Sequence, residues 1–329
     1  MNVLVIGGTG FLGYYAVQEF LRRGHTVSVL ALPPLPAEGL LPAGVQVQLA
    51  NLDHLSDAEV RVLLQGQDGV VFAAGADDRV VPPAPAYPFF YHANVEACSR
   101  LFRLAREAGV RRGALLSSYF AYFDRLWPEL RLAEHHPYIR SRQEQEEQSL
   151  HAALPDLQLV VLELPYIFGA MPGRIPLWSP VVNYVRASPV LLYPQGGTNM
   201  IAVQHVGEAI AGAIEQGQGG ERYVVGDENL TWSEFLGRLS RFATGKSKPV
   251  LTIPTFLFRR LMQSVARKHK AEGKEGGLDP VEFTRLQTAQ TFFDPTPSRQ
   301  ALGYGQGGLD EALRATVAAC PVDTKTSFW

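Results

Sequence analysis

The sequence predicts an α/β fold, a doubly wound parallel sheet followed by a smaller C-terminal α/β lobe. Two observations predict it. Short apolar runs alternate with amphipathic helical patterns through residues 1–165, and a glycine-rich turn follows the first of these runs. A chain of 329 residues with 46% hydrophobic content is long enough to bury a large core and to carry a satellite lobe.

The alternating pattern of the first half consists of six apolar runs and four helical stretches. The runs predict strands at 2–6, 26–30, 45–49, 69–74, 113–118 and 157–164. The helical patterns predict helices at 11–23, 56–65, 92–108 and 138–153. Strands that alternate with helices pair in parallel, so we expect helices on both faces of the sheet.

Proline and glycine become frequent from about residue 166, which indicates a change of domain. We expect residues 204–226, a helix at 204–216 and a strand at 221–226, to return to the main sheet. Further helices are predicted at 231–243, 255–270 and 309–319. The predicted division is therefore a nucleotide-binding domain of residues 1–165, with 204–226 returning to it, and a substrate-binding lobe of residues 166–203 and 227–329.

Charge and cysteine content exclude several classes of protein. The net charge is −2, whereas a general nucleic-acid binder usually shows a strong basic bias, so a small-molecule ligand is expected. No apolar run approaches a membrane span and no cleavable leader is visible at the N-terminus, which predicts a cytoplasmic protein. Cys98 and Cys320 lie far apart without metal spacing, and no metal site is predicted.

The turn after the first strand is the clearest motif of the chain. Gly7, Gly10 and Gly13 are spaced three residues apart and open a helix. The first glycine permits a tight turn, the second lets the backbone approach a pyrophosphate, and the third lets helix and strand pack closely. A glycine-rich turn without a ligand is the alternative. At the first strand of an alternating sheet, the pattern favours a dinucleotide.

Several segments in the same order resemble one known family. "VIGGTGFLG", "GVVFAAGA", "LPYIFG" and "FDPTPSRQALGY" are similar to motifs of the extended short-chain dehydrogenase/reductases. This group holds nucleotide-sugar epimerases and dehydratases. The segments "GERYVVGDENLTWSEF" and "FDPTPSRQALGY", with "IPTFLFRRLMQ" between them, favour its dihydroflavonol-reductase-like branch. The resemblance covers nearly the whole chain and implies a Rossmann-type dinucleotide domain.

The resemblance also implies three reactive residues. Ser118 occupies the position of the family's serine or threonine, which hydrogen-bonds the substrate oxygen. Tyr138 occupies the position of the family's acid/base tyrosine, and Arg142 stands where the family has lysine. A phenol titrates near 10 and needs a nearby cation to act as a base near neutrality. Arginine is larger, planar and permanently charged, so three outcomes stay open: normal catalysis, altered chemistry, or a tyrosine and an arginine without a chemical role.

By the same resemblance, the cofactor is NAD or NADP, with a lean towards NAD, and a homodimer is the family's habit. Asn94 has the alternative of a helix N-cap. The cofactor contacts implied by the resemblance are Gly7, Thr9, Gly10, Phe11, Leu12, Gly13, Asn51, Leu52, Ala73, Ala74, Asn94, Tyr138, Arg142, Pro165 and Ile167.

Other positions depart from the family pattern or allow two interpretations. The second strand ends in "LALPPLP" without an acidic residue for the adenosine ribose, and Glu163 replaces a frequent arginine. The basic stretch 259–274 is a substrate-lobe helix or a membrane-surface helix. Two functions follow: an NAD(P)-dependent oxidoreductase or epimerase/dehydratase, and a dinucleotide-binding sensor or interaction protein with a degraded site.

Overall fold

The computed structural model describes residues 1–322 of the 329 in the chain. A main sheet of seven strands runs through its centre in the order β3-β2-β1-β4-β5-β6-β10, and every neighbouring pair is parallel. The strands are β1 (Asn2–Ile6), β2 (Thr26–Ala31), β3 (Gln46–Leu49), β4 (Gly69–Phe72), β5 (Arg112–Ser118), β6 (Gln158–Leu164), β7 (Tyr166–Phe168), β8 (Leu191–Pro194), β9 (Gly197–Ala202), β10 (Arg222–Val224), β11 (Glu228–Thr231), β12 (Val250–Ile253) and β13 (Gln290–Thr291).

Helices follow most of the strands. They are α1 (Phe11–Arg22), α2 (Asp57–Leu64), α3 (Tyr87–Phe90), α4 (Ala97–Glu107), α5 (Tyr119–Leu126), α6 (Leu132–His135), α7 (Pro137–Ala153), α8 (Ser179–Ala187), α9 (Val203–Glu215), α10 (Trp232–Thr244), α11 (Thr255–Ala271), α12 (Phe283–Gln287), α13 (Thr296–Leu302) and α14 (Leu309–Ala319). Short 3-10 turns span Leu52–His54 and Pro128–Leu130.

Two apolar layers cover the main sheet. On one face, Phe20 of α1 and Ile210 of α9 pack against the sheet valines. On the other face, Leu64 of α2 and Phe102 of α4 form a second core with the alternate side chains of the strands. Strand side chains alternate between faces, so apolar residues at successive positions can serve both layers. The predicted doubly wound sheet is confirmed.

A smaller sheet lies beyond the main one. β9 is its centre, paired with β11 in antiparallel and with β7 and β13 in parallel orientation. Its core includes Phe168, Trp232 and Leu313, which come from segments far apart in the chain. A separate ribbon is formed by β8 and β12, which are parallel. Within residues 1–322, no helix combines the length and the apolarity that a membrane crossing requires.

The structure corrects several predicted boundaries. In place of the single helix expected at 92–108, the structure has a π-helical segment, Tyr91–Glu96, followed by α4. The π-helical segment is wound more widely than the regular helix that follows it, with hydrogen bonds to the fifth residue along the chain. The strand expected at 69–74 ends at Phe72, so Ala73 and Ala74 lie in the following loop. Helix α5 was not predicted, since its aromatic-rich sequence has no clear polar face.

Candidate active site at the carboxyl edge of the main sheet

The glycine turn brings backbone segments very close together. We call the turn formed by Gly7, Gly10 and Gly13 the cradle. Gly7 has a positive φ of 82°, and a Cβ on this residue would lie 2.6 Å from the carbonyl oxygen of Ala73. A Cβ on Gly13 would lie 2.2 Å from the carbonyl oxygen of Gly7. At Gly10 only that Gly7 oxygen is near, at 3.1 Å, so a side chain here would project towards open space in front of the helix. The positive φ of Gly7 and the close approach at Gly13 fit the tight turn and the close packing expected there, and the role of Gly10 stays a prediction.

The N-terminus of α1 meets the requirements of a phosphate-binding site. Gly10 is its N-cap and supplies no side-chain cap, and no acidic residue stands in its first turn. The amides of Phe11, Leu12 and Gly13 have no acceptor inside the helix, and the helix dipole favours an anion at this end. Together with the cradle, these free amides fit a dinucleotide pyrophosphate.

The residues expected near adenosine have partly structural roles. The Asn51 side chain caps the 3-10 turn Leu52–His54 by accepting a hydrogen bond of 3.1 Å from the Asp53 amide. Its side-chain NH₂ group is not used by this cap. Leu52 is buried against the core below. At the end of β2, Leu32 is exposed and carries no polar group for a ribose hydroxyl.

The three predicted reactive residues lie together. Ser118 ends β5 and caps α5, accepting a hydrogen bond of 3.3 Å from the Phe120 amide. Tyr138 and Arg142 stand one turn apart on α7, and the Arg142 guanidinium carbon is 5.0 Å from the centre of the Tyr138 ring. All three side chains are buried, with Tyr138 only 5% exposed.

The groups around Tyr138 shift the pKa of its phenol in opposite directions. Burial raises the pKa of the phenol, and the positive charge of Arg142 lowers it. The negative charge of Asp78 raises the pKa, whereas hydrogen-bonding contact with Arg142 and Ser118 lowers it. Asp78 was not singled out from the sequence, although its position just beyond the fourth strand is where ligand-binding side chains of such sheets occur.

The buried Arg142 guanidinium binds mainly to the protein itself. Its Nη1 donates to the Gln145 side chain at 2.8 Å and to the Leu116 carbonyl oxygen at 3.4 Å, and its Nη2 donates to the Ala76 carbonyl oxygen at 3.2 Å. Its Nε has no partner within residues 1–322. Three of the five N–H donors of Arg142 are therefore used by these bonds, and the buried Nε–H is one of the two that they leave.

The loop after β4 connects the cradle with the catalytic candidates. Ala73 packs against Gly7, and Ala76 accepts the hydrogen bond from Arg142. Ala74 lies between them at the edge of the core. The loop therefore leads from the glycine turn to Arg142 on α7.

Asn94 is not the N-cap that the alternative prediction allowed, because it lies inside the π-helical segment. Its Oδ1 accepts from the Ala76 amide at 2.8 Å and its Nδ2 donates to Ser141 Oγ at 3.1 Å. Ser141 Oγ in turn donates to the Tyr138 carbonyl oxygen at 2.7 Å. Asn94 thus ties the loop after β4 to the helix that carries Tyr138.

Pro165 and Ile167 flank Tyr166 at the passage from β6 to β7. The Ile167 carbonyl oxygen accepts a hydrogen bond of 2.8 Å from the Trp178 indole, which fixes the chain here. Neither residue has a polar side chain. Any contact with a cofactor would come from their backbone or from apolar packing.

Behind the site lies a charged network that the sequence did not predict. Glu146, one turn after Arg142, accepts hydrogen bonds from Ser117 Oγ at 2.6 Å, from Arg222 at 2.9 Å and from Arg125 at 3.1 Å. Arg125 also pairs with the buried Glu163. Glu163, noted as a departure from the family, is therefore paired with an arginine from another element.

No metal-binding cluster of histidine, cysteine and carboxylate side chains occurs in the part of the chain that the structure describes. His136 is buried, and its Nδ1 accepts a hydrogen bond of 3.0 Å from the Asp279 amide. This bond holds the segment before Tyr138 against the C-terminal half of the chain.

Known proteins with similar sequences or folds agree with this geometry. A sequence family described as NAD(P)H-binding matches residues 7–164. A Synechocystis protein that carries the provisional name dihydroflavonol 4-reductase is 23% identical over 328 residues, which is 95% of this chain and 92% of that protein. A sterol-4-alpha-carboxylate 3-dehydrogenase of Dictyostelium discoideum is 20% identical, with 92% of this chain and 95% of that protein covered.

Among solved structures, a nucleoside-diphosphate-sugar epimerase from Pseudomonas aeruginosa is similar with a TM-score of 0.73 and 19% identity, covering 97% of both chains. Its likeness concerns the fold. The family match shows that residues 7–164 form an NAD(P)H-binding domain, and the full-length relatives to which the chain is similar are named as a reductase and a dehydrogenase.

Proposed function

We propose that this protein is an NAD(P)-dependent oxidoreductase or epimerase/dehydratase that acts on an alcohol or carbonyl group of a small molecule or a nucleotide sugar. One observation carries the proposal. The loop after β4 contacts the glycine turn through Ala73, and it contacts Arg142 through Ala76. These contacts support a dinucleotide site beside the proposed acid/base pair. The nucleotide-binding part is residues 1–165 with 204–226, and the substrate lobe is residues 166–203 and 227–329.

Three side chains share the chemistry in this proposal. The Ser118 hydroxyl donates a hydrogen bond to the substrate oxygen and orients it. The Tyr138 hydroxyl gives a proton to a carbonyl oxygen during reduction, or takes one from an alcohol during oxidation. Arg142 stabilises the phenolate form, and its positive charge opposes the effect of burial on the pKa of Tyr138. Bound NAD(P) supplies or accepts the hydride at the substrate carbon.

A specific observation favours a second candidate, a dinucleotide-binding sensor or interaction protein with weak or absent turnover. Most of the Arg142 donors are already used by Leu116, Ala76 and Gln145, so this residue binds a nicotinamide ribose less completely than a flexible lysine would. Both candidates require dinucleotide binding. They differ in whether the Tyr138 phenol transfers a proton.

The experiment has two stages. First, the purified protein is titrated with NAD, NADH, NADP and NADPH by thermal shift and fluorescence. Second, wild type, Tyr138→Phe, Ser118→Ala and Arg142→Lys are assayed with panels of carbonyl, alcohol and nucleotide-sugar compounds, with Tyr122→Phe as a matched control from the same aromatic cluster. We expect binding of a dinucleotide by all variants and loss of turnover in Tyr138→Phe but not in Tyr122→Phe.

The outcomes separate the candidates. Failure of every dinucleotide to bind below millimolar concentration would overturn both of them. Tight binding without turnover in wild type, together with turnover gained in Arg142→Lys, would favour the sensor. Full activity of Tyr138→Phe would remove the proposed role of the phenol.

A further inference from the structure

Helix α11 has one solvent-exposed face of unusual composition. Between Phe256 and the end of the helix, its exposed residues fall within an arc of roughly 160° when placed at 100° per residue. These residues are Phe256, Leu257, Arg260, Ser264, Arg267, Lys268, Lys270 and Ala271. Apolar side chains thus stand at the first turn of the face, and cations occupy most of the rest.

The cations of this face lie outside any ion pair. Helix α11 contains no aspartate or glutamate, and its Arg259 pairs with Glu282 at 2.9 Å. Arg260, Arg267, Lys268 and Lys270 form no ion pair with any of residues 1–322. The whole chain has a net charge of −2, so this face is a local concentration of positive charge on a weakly acidic protein.

The ribbon that precedes α11 in the chain also exposes apolar side chains. Leu251 of β12 pairs in register with Leu192 of β8, so the two side chains lie on the same side of the ribbon, and they are 55% and 49% exposed. Phe256 and Leu257 follow β12 after a short connection and are 66% and 45% exposed. Four exposed apolar side chains, two on the ribbon and two on the first turn of α11, and four cations of α11 are thus carried by β8, β12 and the helix that follows β12. We call these eight residues the basic-apolar face.

We propose that the basic-apolar face docks on the surface of an anionic lipid bilayer. Cations near such a surface gain electrostatic attraction, and apolar side chains beside them gain by entering the boundary between headgroups and acyl chains. A nucleic acid or an acidic protein would use the cations but would leave Leu192, Leu251 and Leu257 without a role. The lipid surface uses both halves of the face.

The docking face is connected to the candidate active site. The segment after α11 forms hydrogen bonds with residues 82–86 and passes Tyr138, whose amide donates to the Gly277 carbonyl oxygen at 2.9 Å. The segment that follows the docking helix is therefore in contact with the residue proposed as acid/base. The proposal itself does not depend on catalysis, since the face and its charges are separate from Ser118, Tyr138 and Arg142.

The test is co-sedimentation of the full-length protein with phosphatidylcholine vesicles prepared with and without phosphatidylserine. The charge variant is Arg260→Glu with Lys268→Glu, and the apolar variant is Phe256→Ser with Leu257→Ser. The matched control is Val62→Ser with Leu154→Ser, which removes two equally exposed apolar side chains elsewhere on the surface.

We expect wild type and control to bind vesicles that contain phosphatidylserine, and to bind them more weakly at high salt. Both face variants should bind these vesicles at least about tenfold more weakly than wild type does. Wild type left in the supernatant with all vesicles would overturn the proposal, as would a charge variant that binds like the control. Retention on heparin or an oligonucleotide without vesicle binding would also overturn it, in favour of a polyanion partner. NADH titration of the same samples reports separately on the proposed function.

Discussion

The amide nitrogen of Tyr138 donates a hydrogen bond of 2.9 Å to the carbonyl oxygen of Gly277, so the C-terminal half of the chain holds the start of α7. There is no room for a side chain at this glycine. A Cβ on Gly277 would lie 2.6 Å from Phe90 Cζ and 2.9 Å from Tyr138 Cβ. The two halves are therefore in direct contact at the candidate acid/base residue.

The first prediction concerns this contact. Gly277→Ala should lower the free energy of unfolding by about 1–3 kcal/mol, because the added methyl group overpacks the site. Urea denaturation measures the change. Gly276→Ala is the matched control, since its Cβ would meet only the Leu278 carbonyl oxygen at 3.2 Å and the His269 ring at 3.9 Å.

A double variant tests whether Phe90 is the obstacle. Combined with Phe90→Leu, the Gly277→Ala substitution should cost less than it does alone, with a coupling free energy of about 0.5 kcal/mol or more. Equal stability of Gly277→Ala and Gly276→Ala would contradict the packing argument.

The second prediction contrasts two glycines of the cradle. Gly10→Ala should fold with little change in Tm but should bind NADH at least about tenfold more weakly, because its methyl group projects into the pyrophosphate position. Gly13→Ala should lower Tm itself, because its Cβ would lie 2.2 Å from the Gly7 carbonyl oxygen. Thermal unfolding and NADH fluorescence titration separate the two effects. Unchanged NADH affinity in Gly10→Ala would place the pyrophosphate elsewhere.

The elements that could be predicted from the sequence are those whose conformation depends on residues near one another in the chain. The predicted strand 26–30 matches β2 within one residue, because apolar periodicity determines which of its side chains face the core, and the predicted helix 138–153 matches α7 within one residue. The glycine turn could also be predicted, because the spacing of its glycines allows a particular backbone conformation within one short segment. Family resemblance, and not periodicity, pointed to Ser118 and Tyr138.

Contacts between distant segments could not be predicted in this way. Glu146 and Glu163 lie on different elements, and their arginine partner Arg125 comes from α5, which was itself missed. Sequence spacing carries no signal for such a pairing. The π-helical segment that contains Asn94 depends likewise on the tertiary bonds from Asn94 to Ala76 and Ser141. These bonds override the ordinary helical pattern.

The third prediction concerns Glu163. Burial, together with the nearby Glu146 carboxylate, raises the pKa of Glu163 from 4.5 to about 8, although Arg125 acts in the opposite direction. Below pH 4.5 the carboxyl is protonated in both the folded and the unfolded chain. Between pH 4.5 and 8 only the unfolded chain has lost the proton, so the free energy of unfolding falls as pH rises.

Glu163→Gln should remove this contribution, which is of the order of a few kcal/mol across the window. Urea denaturation from pH 5 to pH 8 should then show a flatter profile than wild type. Glu147→Gln, an exposed change on α7, is the control and should keep the wild-type slope. A slope that persists in Glu163→Gln would assign the titration to another group.

The fourth prediction concerns His136 and has the opposite sign. Burial lowers the pKa of this histidine from 6.5 to about 4, with a smaller contribution from His135 in the same direction and an opposing one from Asp279. The neutral ring accepts the Asp279 amide hydrogen at Nδ1, which a protonated ring could not do. The stabilisation is present above pH 6.5 and is lost as pH falls through about 4, because the unfolded chain takes up the proton first.

His136→Asn keeps a hydrogen-bond acceptor but cannot titrate. Between pH 6.5 and 4 its free energy of unfolding should therefore change less than that of wild type, and the difference between the two changes should be at most about 3 kcal/mol. Chemical denaturation at several pH values in this window measures the difference. His135→Asn is the neighbouring control and should change the profile little. Equal pH profiles of wild type and His136→Asn would contradict the prediction. They would show that the bond from the Asp279 amide to the neutral His136 ring does not hold the segment before Tyr138.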